Sequence, residues 1–448
     1  MLRHALLAAV ALTAAAYAGD AKLAPTPPMG WNSWDAYGFT LTETEYKANA
    51  EVLAQQLKAA GWTYAIVDMG WYMAKPLGEK TADQDHQIDA YGRVIPAVNL
   101  FPSAANGAGF KPLADWAHAK GLKFGIHIMR GIPKEAVAKN MPIEGTNARA
   151  SEAANTADTC SWNDGYYGVK DNAAGQAYYD SALKLYASWN VDYIKIDCIA
   201  DHPYKPDEIR MVSEAIKKTG RDIVLSLSPG PTNISRALEV GQRAQLWRIS
   251  DDNWDAWTFK PAANWPNGLR EAFDYLGLWY PYAKPGTWPD ADMLPFGSLT
   301  PHPGWGEARQ SRLTPDETRS WFTLWAIARS PLMLGANLTK MDEPLKALVT
   351  NKDLIAVNQT AWESHPVDGL KQADARVWVA LTGPREKLVA TVAAFNLSDK
   401  PMTVTATWKE LGVKGAALVD LFTGKKKPAG NGITATLPAH GSAIWRVE

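Results

Sequence analysis

Short runs of β-branched and aromatic residues alternate with longer amphipathic stretches from about Met29 to Asn358. The runs are Gly30–Trp34, Tyr64–Asp68, Lys123–Met129 and Tyr193–Cys198, then Ile223–Ser228, Leu246–Ser250, Thr287–Leu294 and Pro331–Gly335. Runs of this length and apolarity predict buried strands. Within Thr42–Ala60, residues Tyr46, Ala50, Leu53, Leu57 and Ala60 recur at helical spacing, which gives the single apolar stripe a helix needs to pack on a sheet. Thr42 followed by Glu45 predicts a capping box at its start. Helices are also predicted over Gln176–Trp189, Pro206–Lys218 and Pro315–Arg329. The last of these has Thr314 as cap, Pro315 in its first position and Glu317 to close a second capping box. Strands separated by helices run parallel, and eight such units predict an α/β fold of the (β/α)8 TIM barrel type.

After Val357 the period changes. Val377–Leu381, Leu388–Phe395, Met402–Trp408, Ala417–Asp420, Ile433–Leu437 and Ala443–Val447 read as short strands separated by turn-rich segments. They predict a C-terminal antiparallel β-sandwich without helices. The expected organisation is a signal peptide over residues 1–18, a barrel over 19–358 and a sandwich over 359–448. The signal peptide reads from Arg3 and His4, an apolar stretch from Ala5 to Ala16, and the small-x-small pattern Ala16-Tyr17-Ala18. Cleavage is expected after Ala18, which predicts a secreted or periplasmic protein. No later segment reaches ~18 uninterrupted apolar residues, so no membrane span is expected.

Composition narrows the partners. Lys and Arg number 46 against 47 Asp and Glu, so no net field favours nucleic acid or an anionic membrane. The 20 Trp residues are an over-use. Indole faces stack on the C–H faces of sugars, although many of these rings belong to an apolar core. A neutral oligosaccharide or glycoside fits both observations. The two cysteines, Cys160 and Cys198, make at most one bridge, and their spacing leaves open whether they meet.

In a (β/α)8 barrel the carboxyl ends of the strands build the active-site mouth. Those positions carry Asp68, His127, Lys195 and Asp197, Arg248, Asp251 and Asp252, and then Asp290 and Asp292. A zinc-dependent barrel hydrolase calls for His-x-His on an early strand, whereas His127 is followed at that spacing by Met129. No Gly-x-Ser-x-Gly elbow and no Gly-rich phosphate loop occurs. No metal and no cofactor is therefore expected, and a metal-dependent hydrolase is the weakest reading. Carboxylate chemistry remains, as in glycosidases, where two acids flank the scissile bond. Lys195 lies two residues before Asp197 and shares its side of the strand, where a cation keeps a carboxylate ionised. Arg248 stands four before Asp252. Taken singly, either pair reads equally well as a salt bridge at the barrel mouth.

Five segments in order are similar to those of glycoside hydrolase family 27, the α-galactosidases and α-N-acetylgalactosaminidases. They are Pro28-Met29-Gly30-Trp31-Asn32-Ser33-Trp34, Tyr193-Ile194-Lys195-Ile196-Asp197-Cys198, Trp247-Arg248-Ile249-Ser250-Asp251-Asp252, Trp288-Pro289-Asp290-Ala291-Asp292-Met293-Leu294 and Arg329-Ser330-Pro331-Leu332. The resemblance implies a retaining exo-hydrolase of α-D-galactosyl or galactose-like residues, with carboxylates ~5–5.5 Å apart and a covalent glycosyl-enzyme. It implies Asp197 as nucleophile and Asp252 as acid/base, with Asp251 the rival, and Trp34, Asp68, His127, Lys195 and Arg248 at the substrate. Three departures bear on the sugar. Asp68-Met69 stands where galactose-preferring members carry two acids for O4 and O6. His127 replaces a common Tyr. Ser228-Pro229-Gly230 lies where the family meets the 2-position. The cysteine of the nucleophile strand also falls one residue early. A β-L-arabinopyranoside, an α-GalNAc or an α-glucan unit stays open as glycone, and a non-catalytic sugar-binding barrel is the alternative from another class.

Overall fold

The computed structural model describes residues 21–75, 85–259, 265–299, 308–384 and 386–448. The expected signal peptide lies outside the described residues. Eight barrel strands form one parallel sheet: β1 (Met29–Asn32), β2 (Tyr64–Val67), β3 (Lys123–Met129), β4 (Tyr193–Asp197), β5 (Val224–Leu227), β6 (Leu246–Arg248), β7 (Trp288–Asp290) and β8 (Leu332–Leu334). Each strand from β2 to β7 pairs with its predecessor, and β8 pairs with β1. The ring closes where Leu294, beyond β7, bridges in parallel to Leu334 of β8. The run Thr287–Leu294 is therefore not one strand. Its backbone leaves the sheet after Asp290 and returns at Leu294, with Asp292 between them at φ 84°.

The helices alternate with these strands: α1 (Glu43–Val52), α2 (Lys111–Ala119), α3 (Ala173–Ser188), α4 (Pro206–Thr219), α5 (Ala237–Arg243), α6 (Leu269–Trp279), α7 (Pro315–Ala328), α8 (Glu343–Val349) and α9 (Lys352–Thr360). Both expected capping boxes are present. Thr42 Oγ1 accepts from the Glu45 N–H at 3.3 Å while Glu45 accepts from the Thr42 N–H at 2.9 Å, and Thr314 and Glu317 do the same. Helical turns run on from α1 through Ala60, so the predicted segment is helical to its end.

Strand alternation creates two cores. Ile194 and Ile196 of β4 join the large cluster shared with the helices, whereas Tyr193 joins Tyr64, Ile66, Val224, Leu246, Trp288 and Met333 in a separate one. Those residues come from six different strands, which identifies the second cluster as the barrel interior. The segment before β1 closes its lower end, where Trp288 Nε1 donates to the Ala24 carbonyl at 2.9 Å. Lys195 and Asp197 continue the inward side of β4 above Tyr193. The sheet register thus lifts these two groups to the mouth.

An insertion after β3 was not foreseen: Ile132–Pro133, Ala154–Thr159 and Tyr166–Val169 form a small antiparallel sheet. Its strands are polar on one face and short, which leaves no run of apolar alternation to read. Buried Arg130 anchors it by donating to Asp158 at 2.8 Å, to Glu208 at 2.7 Å and to the Cys198 carbonyl at 2.7 Å.

The C-terminal domain is a six-stranded antiparallel sheet facing a two-stranded one. The larger sheet holds β9 (Glu363–Pro366), β10 (Ala375–Thr382), β11 (Val389–Asn396), β13 (Ala417–Asp420), β14 (Lys426–Pro428) and β16 (Ser442–Val447); the smaller pairs β12 (Met402–Thr407) with β15 (Gly432–Leu437). Val377, Val392, Val404, Leu418, Ile433 and Trp445 pack between them. The expectation of a helix-free sandwich is corrected by one turn of helix over Trp408–Leu411, started by a capping box of Thr407 and Glu410. At the junction with the barrel, the His440 ring stacks on Trp257 at 4.0 Å and lies 2.7 Å from a Glu317 oxygen of α7.

Because α7 supports both this junction and the barrel wall, its cap is a local test of the fold. Thr314→Ala should lower unfolding free energy by about 1 kcal/mol, with Thr314→Ser near wild type; urea denaturation followed by circular dichroism measures both.

Candidate active site

The mouth of the barrel opens into a cavity of about 520 Å³. Trp34, Asp68, Met69, Lys195, Asp197, Arg248, Asp251, Asp252 and Asp292 all line it. Residues predicted from separate strands are thus brought to one space, within two ion-paired halves.

The first half is built on Lys195. Its Nζ donates to Asp68 Oδ2 at 2.9 Å, and Asn32 Nδ2 donates to the same oxygen at 2.6 Å. The other Asp68 oxygen accepts from the Met69 N–H at 2.8 Å. Burial pushes the Asp68 carboxyl up, but the Lys195 charge and these hydrogen bonds outweigh it and hold the group well below the usual carboxylate range. Burial likewise pulls the Lys195 ammonium down, while the Asp68 and Asp197 charges raise it above the ordinary lysine value.

Asp197 ends β4 beside them. Its Oδ1 accepts from the Cys198 N–H at 2.6 Å and its Oδ2 lies 3.2 Å from His127 Nε2. Burial raises this carboxyl too, and the His127 hydrogen bond, the Lys195 charge and the Cys198 N–H bring it below its ordinary value. His127 is fully buried and does not line the cavity; it lies behind the carboxylate and bonds to it. Its Nδ1 has no protein partner among the described residues, which assigns the bonded proton to Nε2.

The second half is built on buried Arg248. Its Nη1 lies 2.9 Å from Asp292 Oδ1, and its Nη2 donates to Asp252 Oδ1 at 3.1 Å. The four-residue spacing in the sequence is thus a direct contact. Asp252 keeps 37% side-chain exposure, and its Oδ2 accepts from Trp265 Nε1 at 3.2 Å. Asp251 turns elsewhere: it is buried and lies 3.0 Å from His202 Nε2. Burial raises the Asp251 carboxyl above its ordinary value. Burial, together with the Asp252 and Asp290 charges, lifts Asp292 to about 6 despite the opposing Arg248. Asp290 falls outside the cavity lining, although its Oδ1 accepts from the Asp292 N–H at 2.9 Å.

Sequence reasoning missed Asp35, His202, Trp162 and Trp265, all of which line the cavity. Asp35 follows Trp34 on a short helical turn and is buried. Burial and the neighbouring Asp292 charge push its carboxyl well up. Its closeness to the matched opening segment was the available signal. His202, Trp162 and Trp265 sit on loops with no periodicity to mark them. Cys160 and Cys198 form a disulfide, which decides the pairing left open by their spacing and ties the insertion after β3 to the residue following Asp197.

Two family profiles match the chain: one described as alpha galactosidase A over residues 156–360, the other as the alpha galactosidase C-terminal beta sandwich domain over residues 372–447. The α-galactosidase of Oryza sativa subsp. japonica is 30% identical across 94% of this chain and 85% of its own. The chain belongs to glycoside hydrolase family 27. It is a glycoside hydrolase, and the resemblance of the five segments is borne out along with the barrel and sandwich. The chain is also similar to the α-N-acetylgalactosaminidase of Gallus gallus, 27% identical over 94% of this chain and 93% of its own. A family 27 β-L-arabinopyranosidase from Geobacillus stearothermophilus superposes with a TM-score of 0.89, at 41% identity, over 96% of this chain and 97% of that one.

A carboxylate with a depressed folded pKa adds stability above its unfolded pKa and loses that contribution as the pH falls toward the folded value. Asp68 is such a group, with an ordinary value of 3.8. Asp68→Asn leaves Lys195 without its nearest counter-charge and should cost about 3 kcal/mol at pH 7. Urea denaturation from pH 7 to 3 should show the gap to wild type constant above pH ~4 and narrowing below it.

Proposed function

We propose that the chain is an exo-acting retaining glycosidase with Asp197 as nucleophile and Asp252 as acid/base. The supporting observation is the contrast between the two carboxyls. Asp197 is largely shielded, at 15% side-chain exposure, and kept ionised by His127, Lys195 and the Cys198 N–H, while Asp252 is more open to the cavity. In the first step an Asp197 oxygen attacks the anomeric carbon, the glycosidic C–O bond breaks, and the leaving oxygen takes the proton from Asp252. In the second, Asp252 removes a proton from water, whose oxygen displaces Asp197 from the sugar. Asp252 is preferred to Asp251 because Arg248 binds it directly, whereas Asp251 is engaged by His202. A cavity of about 520 Å³ at the end of a barrel suits a terminal sugar rather than the middle of a chain.

For the glycone we propose a galactose-configured pentose, β-L-arabinopyranose. This sugar is α-D-galactopyranose without the C6 hydroxymethyl group. Asp68 with Lys195 supplies a charged contact for a ring hydroxyl, but the adjacent position is Met69, whose thioether offers no strong acceptor to a C6 hydroxyl. Asn163 Nδ2 lies 3.6 Å from the Met69 sulfur and fixes it at the cavity wall. Similarity agrees: the β-L-arabinopyranosidase is 41% identical, the rice α-galactosidase 30%, and a variant of the former has been solved with arabinose. The second reading is an α-D-galactosidase, favoured by the names of the curated relatives. The disulfide fits an oxidising compartment, which supports export through the signal-like N-terminus.

With p-nitrophenyl glycosides, kcat/KM on the β-L-arabinopyranoside should exceed that on the α-D-galactoside by about tenfold or more. Met69→Asp should narrow the gap by restoring an acceptor. Equal or better use of the galactoside by the wild-type enzyme rejects the pentose assignment. Asp197→Asn should lower kcat by about 10⁴-fold, and a variant with full turnover rejects the nucleophile.

A further inference from the structure

Two tryptophans at the rim of the cavity are unusual in their exposure: Trp162 at 42% and Trp265 at 54%. Most other indoles among the described residues are buried, and a ring left in water at a binding cavity leaves unused apolar surface. Both rings are attached to the same part of the site. Trp265 donates directly to Asp252. Trp162 meets the His202 ring edge-on at 5.7 Å, and His202 in turn holds Asp251. Both therefore cluster around the Asp251-Asp252 pair, away from the Lys195–Asp68 contact.

The position of Trp162 is also built. It stands two residues after Cys160, whose disulfide reaches the residue following the nucleophile. The strand leading to it is held by Arg130 and by Lys205, whose Nζ donates to Asp158 at 2.8 Å. A ring supported by a disulfide and half-buried ion pairs is held in place, which reduces the entropy lost when a ligand stacks on it.

We propose that Trp162 and Trp265 form the aglycone subsite, a platform for an uncharged pyranose ring carried by the leaving oxygen. The inference rests on Asp252 as acid/base, because the group that protonates the leaving oxygen must lie beside the aglycone. Indole faces bind the C–H face of a pyranose without needing a charge. The enzyme is thereby a disaccharide- or oligosaccharide-cleaving exo-hydrolase, with one sugar in the cavity and the next on the indoles.

The test compares two substrates that share a glycone and both leave as alcohols requiring a proton: a methyl glycoside, which has no aglycone ring, and a disaccharide. The glycone is whichever of β-L-arabinopyranosyl or α-D-galactosyl the unaltered enzyme hydrolyses faster. An error in the pentose assignment then appears as the choice of donor and leaves the aglycone comparison intact. Trp162→Ala and Trp265→Ala should each lose about tenfold more kcat/KM on the disaccharide than on the methyl glycoside, and Trp265→Phe, which keeps a ring and drops only the N–H, should recover most of that difference. Equal losses on the two substrates, or a Trp265→Phe variant no better than Trp265→Ala, overturns the platform.

Discussion

The ammonium group of Lys195, half-buried near the end of β4, pairs with Asp68 and acts on Asp197 through its charge. A carboxylate taken out of water tends to protonate, and a protonated Asp197 has no nucleophilic oxygen to offer. The cation offsets that burial for two acids at once, and His127 completes the work for Asp197 from behind. This constraint explains why the strand reads Lys-Ile-Asp. The period of two puts both charged groups on the inward side, while Ile194 and Ile196 pack against the helices. It also explains why a distant element matters: Asp68 closes β2, and its pairing with Lys195 works only if β2, β3 and β4 keep their register.

Arg248 organises the other half differently. It binds Asp292 and Asp252 together, but Asp252 keeps an open side and Asp292 is pushed upward by burial and by its acidic neighbours. Asp35 is pushed in the same direction by burial and by the Asp292 charge. One side of the cavity is thus arranged to keep acids ionised. The other gathers Asp35, Asp251 and Asp292, all displaced toward the protonated form.

The barrel was legible because its strands are buried on both faces and its helices on one, so each carries a strong periodic signal. The charged strand ends were legible for the same reason: Asp68, Lys195, Asp197, Arg248 and Asp252 interrupt apolar runs where the fold needs chemistry. His127 was found, but its place behind Asp197 rather than in the cavity depends on the rotation of β3, which a lone histidine does not reveal. The insertion after β3, the disulfide and the two rim tryptophans depend on loops and long-range ion pairs. Nothing local marks them, and only the assembled mouth shows that Trp162 and Trp265 surround one pair of acids. The helical turn at Trp408–Leu411 was hidden by the strand before it, although Thr407 and Glu410 carried its capping signature.

The proposed reaction has Asp197 bonded covalently to the sugar while Asp252 handles the proton. It is tested most directly by trapping the intermediate with a 2-deoxy-2-fluoro glycosyl fluoride of the preferred glycone, digesting the inactivated protein and locating the label by mass spectrometry. One glycosyl group per chain, esterified to Asp197, is the expected result. Label on Asp251 or Asp252, or stoichiometric inactivation with Asp197 unmodified, would contradict it.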